Sequence, residues 1–318
     1  MKILKSIQKI PGGLMVVPLL LGATINTFAP QALEIGGFTT ALFKSSATAL
    51  IAFFCLCNGA QINVRQAGQP LMRGVSLTFI KFVLGAFIGW GIGKVFGANG
   101  ILGITPLAII AAMTNSNGGL YVALAGQYGD ANDVGAVSVL SLNDGPFFTM
   151  IALGVSGLAN IPFIALVACI IPILIGFILG NVDPDFKELL GKGTVLPIPF
   201  FAFALGAGLN FGQIFKAGIP GIILGLAVTL ITGMGGYLIM KLLRSKQPEV
   251  GAAIGTTAGN AVGTPEALAA ADPTLAAVAA ISTVQVAAAV IITAICCPLL
   301  VNFLSKLESK KRAVAKDI

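Results

Sequence analysis

Apolar runs of ~20 residues alternate with short polar joints along the whole chain. Runs of that length match the hydrocarbon thickness of a bilayer; a membrane β-barrel would read as alternating segments of ~10 residues. The pattern predicts an all-α polytopic membrane protein of about ten transmembrane helices. They fall at 13–28, 40–57, 71–96, 104–127, 134–154, 161–180, 194–211, 219–243, 249–271 and 275–304. The most polar joint, Asp183 to Gly193 (DPDFKELLGKG), is far too short to be a separate soluble domain. The basic, apolar N-terminus resembles a signal peptide, but its run is interrupted by Pro18 and many spans follow, so it reads as the first helix.

Two of these spans carry polar residues where a membrane helix has none. The fourth holds T-N-S-N-G-G from Thr114 to Gly119, and the ninth holds G-T-T-A-G-N-A-V-G-T-P-E from Gly255 to Glu266. Asn, Ser and Gly have low helix propensity, and their side chains compete for the backbone hydrogen bonds. Both spans are therefore expected to be broken. A break exposes N–H groups at one half-helix end and carbonyls at the other. The N–H end suits a carboxylate, and the carbonyl end suits a cation. An ordinary kink bridged by neighbouring helices is the plainer alternative.

The halves also repeat. Pro18, Gly22 and Pro30 match Pro172, Gly176 and Pro184 at one constant offset, and Phe53-Phe54 matches Phe200-Phe201. Thr114 to Asn117 then aligns with Thr257 to Asn260. Five spans per repeat is an odd number, so residues 1–155 and 156–318 form two inverted five-helix repeats. Such repeats place a transport site near the bilayer midplane, between the broken helices.

Composition sharpens the class. The chain of 318 residues is 56% hydrophobic and 10% charged, with a mean hydropathy of +0.96. Soluble domains carry roughly 25% charged residues. The net charge of +7 is unevenly spread. Fifteen Lys and Arg fall on the side holding both termini, against Lys44, Lys94 and Lys216 opposite. That bias expects both termini in the cytoplasm and does not call for nucleic acid. There is no histidine, which removes the usual general base and metal ligand. Cys55, Cys57, Cys169, Cys296 and Cys297 lie in apolar runs without metal or redox spacing and read as small buried residues. An intramembrane enzyme is disfavoured. A channel would be expected to show a filter or charged ring.

The substrate-binding candidates are Thr114, Asn115, Ser116, Asn117, Gly118, Thr257, Asn260 and Thr264, with Thr256 beside them. Buried ionisable groups mark ion coupling by default. Asp144, with Asn143 in S-L-N-D-G-P, and Glu266 are the candidates; Gln285 is the counterpart of Asp144 in the second half. The coupling ion is expected to be a proton, with sodium as the alternative, and no cofactor or metal is called for. Lys81 lies deep in the third span. It is expected to pair with Asp144 or Glu266, to meet an anionic substrate, or to snorkel to an interface. Asn58, Gln61, Asn63 and Asn210 read as an access path or as helix ends, and Asp130 and Asp133 as a solvated loop and a helix cap.

Several motifs carry a resemblance across essentially the whole chain. IPGGLMVVPLLLGATINTF, MTNSNGGLY, VLSLNDGPFFTM and GTTAGNAVGTPEALAAADP resemble the 2-keto-3-deoxygluconate permeases. That family is grouped with the bile-acid/arsenite/riboflavin transporters. The resemblance implies two inverted repeats whose broken fourth and ninth helices cross. Spans 1, 2, 6 and 7 would form a panel, and spans 3–5 and 8–10 a core. It implies proton-driven import of the sugar acid 2-keto-3-deoxygluconate across the bacterial inner membrane; the sequence is compatible with a monomer and with a homo-oligomer alike. The crossing would fall at Asn115 to Gly119 and Gly259 to Glu266.

Overall fold

The computed structural model describes residues 2–9, 13–63, 68–143 and 145–314. In chain order its helices are α1 (Ile3–Gln8), α2 (Gly13–Phe28), α3 (Gly37–Phe43), α4 (Ala47–Gln61), α5 (Gln69–Phe96), α6 (Pro106–Thr114), α7 (Gly118–Tyr128) and α8 (Ala131–Gly135). There follow α9 (Val137–Leu140), α10 (Phe147–Ser156), α11 (Phe163–Val182), α12 (Pro184–Gly191), α13 (Ile198–Gly206), α14 (Phe211–Leu242), α15 (Thr264–Ala271) and α16 (Ala276–Val314).

Among the described residues, five helical segments are long and apolar enough to cross a bilayer: 69–96, 163–182, 184–206, 217–242 and 273–312. Two bent pairs raise that to seven. These are α3 with α4, bent by 59°, and α6 with α7, bent by 45°. The expected count of ten is thus not reached by length and composition alone. α2 has 16 residues and α10 only 10, short of the ~20 a straight span needs. The region expected as a span over 134–154 is divided into α8, α9, a 3-10 turn and α10. Gly145, at φ 83°, and Pro146 explain the interruption before α10, since neither continues a helix. Over 249–271 the α-helix is confined to α15, preceded by 3-10 turns at Pro248–Ile254 and Gly259–Gly263.

Two groups of helices pack closely. α2 lies against α13, and α4 against α11 and α13. α14 lies along α16 and the turn at Pro248–Ile254, while α5 packs on α6 and α14. With no hydrophobic drive between helices in lipid, close backbone approach through small residues supplies the attraction. Gly206 sits against the carbonyl of Leu19, and Gly176 against that of Leu56. One approach is mutual: a Cβ on Gly251 would lie 2.1 Å from the Gly236 carbonyl oxygen, and one on Gly236 would lie 2.1 Å from that of Gly251. This contact holds the 3-10 turn against α14. Gly251→Val is expected to cost at least about 1–3 kcal/mol by overpacking. Gly126→Ala, where a Cβ meets nothing within 4 Å, should instead stabilise by about 0.5–1 kcal/mol. Thermal unfolding of both purified variants checks the contrast.

At the N-terminal end of α5, the Arg73 guanidinium bonds Asp133 at 2.6 Å and Asp130 at 2.8 Å. Asp130 caps α8, as expected for it. Asp133, by contrast, is fully buried rather than solvated, and Tyr121 donates to its carbonyl at 3.0 Å. The cysteines Cys55, Cys57 and Cys297 are buried thiols, and Cys169 and Cys296 are half-buried.

Candidate functional site

α6 begins on a cap in which the Thr105 hydroxyl accepts from the Ala108 amide at 3.0 Å. It ends at Thr114, because Asn115 adopts extended backbone at φ −117° and ψ 143°. The chain restarts as α7 when the Asn117 side chain accepts from the Leu120 amide at 3.0 Å. The interruption is thus made by the residues that the propensity argument singled out. On the other segment, residues 255–258 lie between two 3-10 turns, with Ala258 extended.

The two interruptions are tied directly to one another. The Asn117 amide donates to the Thr256 hydroxyl at 3.0 Å. The Thr257 hydroxyl donates to the Ala112 carbonyl at 3.1 Å, near the end of α6. Thr293 of α16 accepts from the Thr257 amide at 3.0 Å. Thr114 bonds Thr149 of α10 at 2.8 Å, and Ser116 bonds Asn143 at 3.3 Å. These bonds join polar groups that apolar surroundings could not otherwise satisfy.

Asn115 is the exception. It is 1% exposed, and neither its Oδ1 nor its Nδ2 has a hydrogen-bond partner. A buried amide left unsatisfied costs about 1–3 kcal/mol, so such a group needs an explanation. Two residues further on, Asn117 borders a cavity of about 630 Å³. Gly118, Asn260, Asn58 and Gln61 also line it, and it extends to Gln8 and Thr194. Gly118 and Gly119 open α7, so their amides have no acceptor within the helix. That volume falls within the usual range for small-molecule sites.

The other expected residues are dispersed. Thr264 is buried at the start of α15. Gln285 is engaged at the start of α6: its Nε2 donates to the Gly103 carbonyl at 2.6 Å, and its Oε1 accepts from the Thr105 amide at 3.1 Å. Glu266 is exposed and borders a different groove of about 280 Å³, between α4, α11 and α15. Asp144 lies outside the described residues. Asn58 and Gln61 line the larger cavity, whereas Asn63 and Asn210 are not among its described lining residues.

Lys81 neither snorkels nor meets Glu266. It is fully buried, and its ammonium donates to the carbonyls of Ile254 and Thr256, each at 2.5 Å. These carbonyl partners were not legible in the sequence, because backbone atoms leave no residue signature. Thr149 and Thr293 were also missed; a lone threonine in an apolar helix is normally satisfied by its own backbone.

The model of the KdgT family, described as 2-keto-3-deoxygluconate permease, matches residues 4–310. The 2-keto-3-deoxygluconate permease 1 of Salmonella typhimurium is 53% identical over 317 residues, covering 100% of both chains. The chain belongs to this permease family. The 2-keto-3-deoxygluconate permease of Bacillus subtilis is 40% identical over 98% of this chain and 96% of its own. That of Escherichia coli is 37% identical over 100% and 98%. Family membership makes the chain an integral membrane transporter rather than an enzyme.

Proposed function

We propose that this chain imports 2-keto-3-deoxygluconate across the bacterial inner membrane by proton symport, with the substrate bound where the two interruptions meet. The observation that carries the reading is Asn115, a buried amide without a protein partner, two residues before Asn117 in the wall of the large cavity. A sugar acid offers what Asn115 lacks, hydroxyl and keto groups for its amide, and Asn260 lines the same cavity. Its carboxylate would face the first-turn amides of α7, where the helix dipole favours an anion. Thr114, Ser116, Asn117, Thr257 and Thr264 build and brace the site. The names of the relatives supply the particular sugar acid.

The mechanism in this reading is alternating access around a frame of two inverted repeats. Supporting it, the repeat-equivalent residues Phe54 and Phe201 meet edge to face, with ring centroids 6.0 Å apart. The packing of α2 on α13 has its counterpart in that of α11 on α4. These helices would form the panel, and α5–α10 with α14–α16 the core. The large cavity reaches Gln8 and Thr194, close in sequence to Lys5, Lys9 and Lys192, which supports reading its mouth as the cytoplasmic one. Asp144 is the carboxylate proposed for coupling on sequence grounds, with Glu266 as the second.

Uptake of labelled 2-keto-3-deoxygluconate into proteoliposomes tests the function. The expected result is saturable accumulation driven by an inward proton gradient and unchanged by sodium at fixed pH. Accumulation that requires a sodium gradient would replace the proton by sodium. Unsaturable equilibration without accumulation under any gradient would overturn the transporter reading in favour of a channel.

A further inference from the structure

Lys81 is the described cation held in the protein interior without a carboxylate. It sits mid-way along α5, beside the second interruption. The charge is met by two backbone carbonyl oxygens, Ile254 and Thr256, at the point where the 3-10 turn at 248–254 gives way to irregular chain. Carbonyl oxygens released at the end of a helical segment are the ligands that transporters with interrupted helices offer to a coupling cation. Here a side-chain ammonium holds them. The same short segment carries the ties between the interruptions: the Thr256 hydroxyl receives the Asn117 amide, and the Thr257 hydroxyl reaches Ala112.

We propose that Lys81 is a tethered coupling cation: its protonated amine fills the cation position at the second interruption, and its deprotonation frees those carbonyls and loosens the crossing. An ammonium has three N–H donors and no acceptor. Releasing one proton to water leaves a neutral amine with two donors and a lone pair. The two carbonyls then lose their charge-assisted bonds, and the segment bearing Thr256 and Thr257 is free to shift. Protonation state and the geometry of the substrate site are thereby linked. The inference rests on the proposed ion-coupled transport and names a residue that takes part in it.

The surroundings leave this titration to few groups. Cys297 of α16 is the described ionisable side chain that interacts with the ammonium. Asp130 and Asp133, around α8, are occupied by Arg73. Glu249 of the 3-10 turn is paired with Arg312, and Tyr237 of α14 bonds Glu308. α6, α9 and α10 carry no ionisable side chain. Asp144, between α9 and α10, lies outside the described residues.

Two variants of the full chain test the proposal. Lys81→Met empties the cation position without removing the carbonyls. Purified Lys81→Met should unfold at a higher temperature in sodium than in choline chloride at equal ionic strength, whereas the wild type should not discriminate. Lys81→Arg keeps a charge that cannot be discharged. In proteoliposomes it should still exchange labelled for unlabelled substrate, yet lose proton-driven accumulation, falling to the level seen with no gradient. Accumulation by Lys81→Arg at the wild-type level would overturn the proposal, and so would the absence of any sodium effect on Lys81→Met. The sodium measurement needs no substrate, so it stands apart from the choice of sugar acid. If the wild type accumulates nothing, the functional reading fails instead.

Discussion

The Asn115→Leu protein will fold at least as well as the wild type and will transport poorly. The reason is an asymmetry in hydrogen-bond energetics. Removing a side chain whose polar atoms are already satisfied leaves its partners orphaned. Asn115 has no partners in the protein, so its removal orphans nothing. Leucine keeps the branched, four-heavy-atom skeleton without its polar atoms, in a site that is 1% exposed. The midpoint of thermal unfolding should therefore stay the same or rise, in keeping with a buried, unpaired amide costing about 1–3 kcal/mol. The bonds that Asn115 would give the substrate are lost, and uptake at low substrate concentration should fall roughly 10- to 100-fold, the equivalent of about 1.4–2.8 kcal/mol. A drop in stability with normal uptake would make Asn115 a packing residue.

Arg73→Met will have the opposite signature, with a large loss of stability that a second substitution repairs. The side chain of Asp133 is 0% exposed, and that of Arg73 is 8% exposed. Stripping the guanidinium leaves a carboxylate buried with its charge uncompensated, which costs about 3–5 kcal/mol. Adding Asp133→Asn removes that charge and keeps much of the shape, so the double variant should recover most of the loss. Asp130, whose side chain is 34% exposed, can turn to water and should matter less. Thermal unfolding of the two single variants and the double variant gives the coupling energy directly. Additive losses would place the effect in the packing of the arginine stem instead.

These two cases show what the sequence carried and what it did not. The break in T-N-S-N-G-G was legible because it is local. Propensity alone ends α6 at Thr114, and a capping asparagine begins α7. The bond from Asn117 to Thr256, across 139 positions, was not legible, because the expected crossing began at Gly259 and the tie falls before it. The expected helix over 249–254 gave way to a 3-10 turn because Gly251 must lie against Gly236 of α14, a contact no local pattern records. Polarity and register single out Glu266 and Gln285, yet Glu266 borders the smaller groove and Gln285 braces the start of α6. Asp133 and Lys81 were readable as charges, but their partners come from tertiary packing, an arginine in one case and two carbonyls in the other.

The claim at the centre of this account is that the sugar acid is held where the two interruptions meet. Calorimetric binding of 2-keto-3-deoxygluconate to purified wild-type and Asn115→Leu proteins tests it without the later steps of transport. The account predicts saturable binding by the wild type and clearly weakened binding by a variant of equal or greater thermal stability. Equal affinity in the two proteins would contradict it.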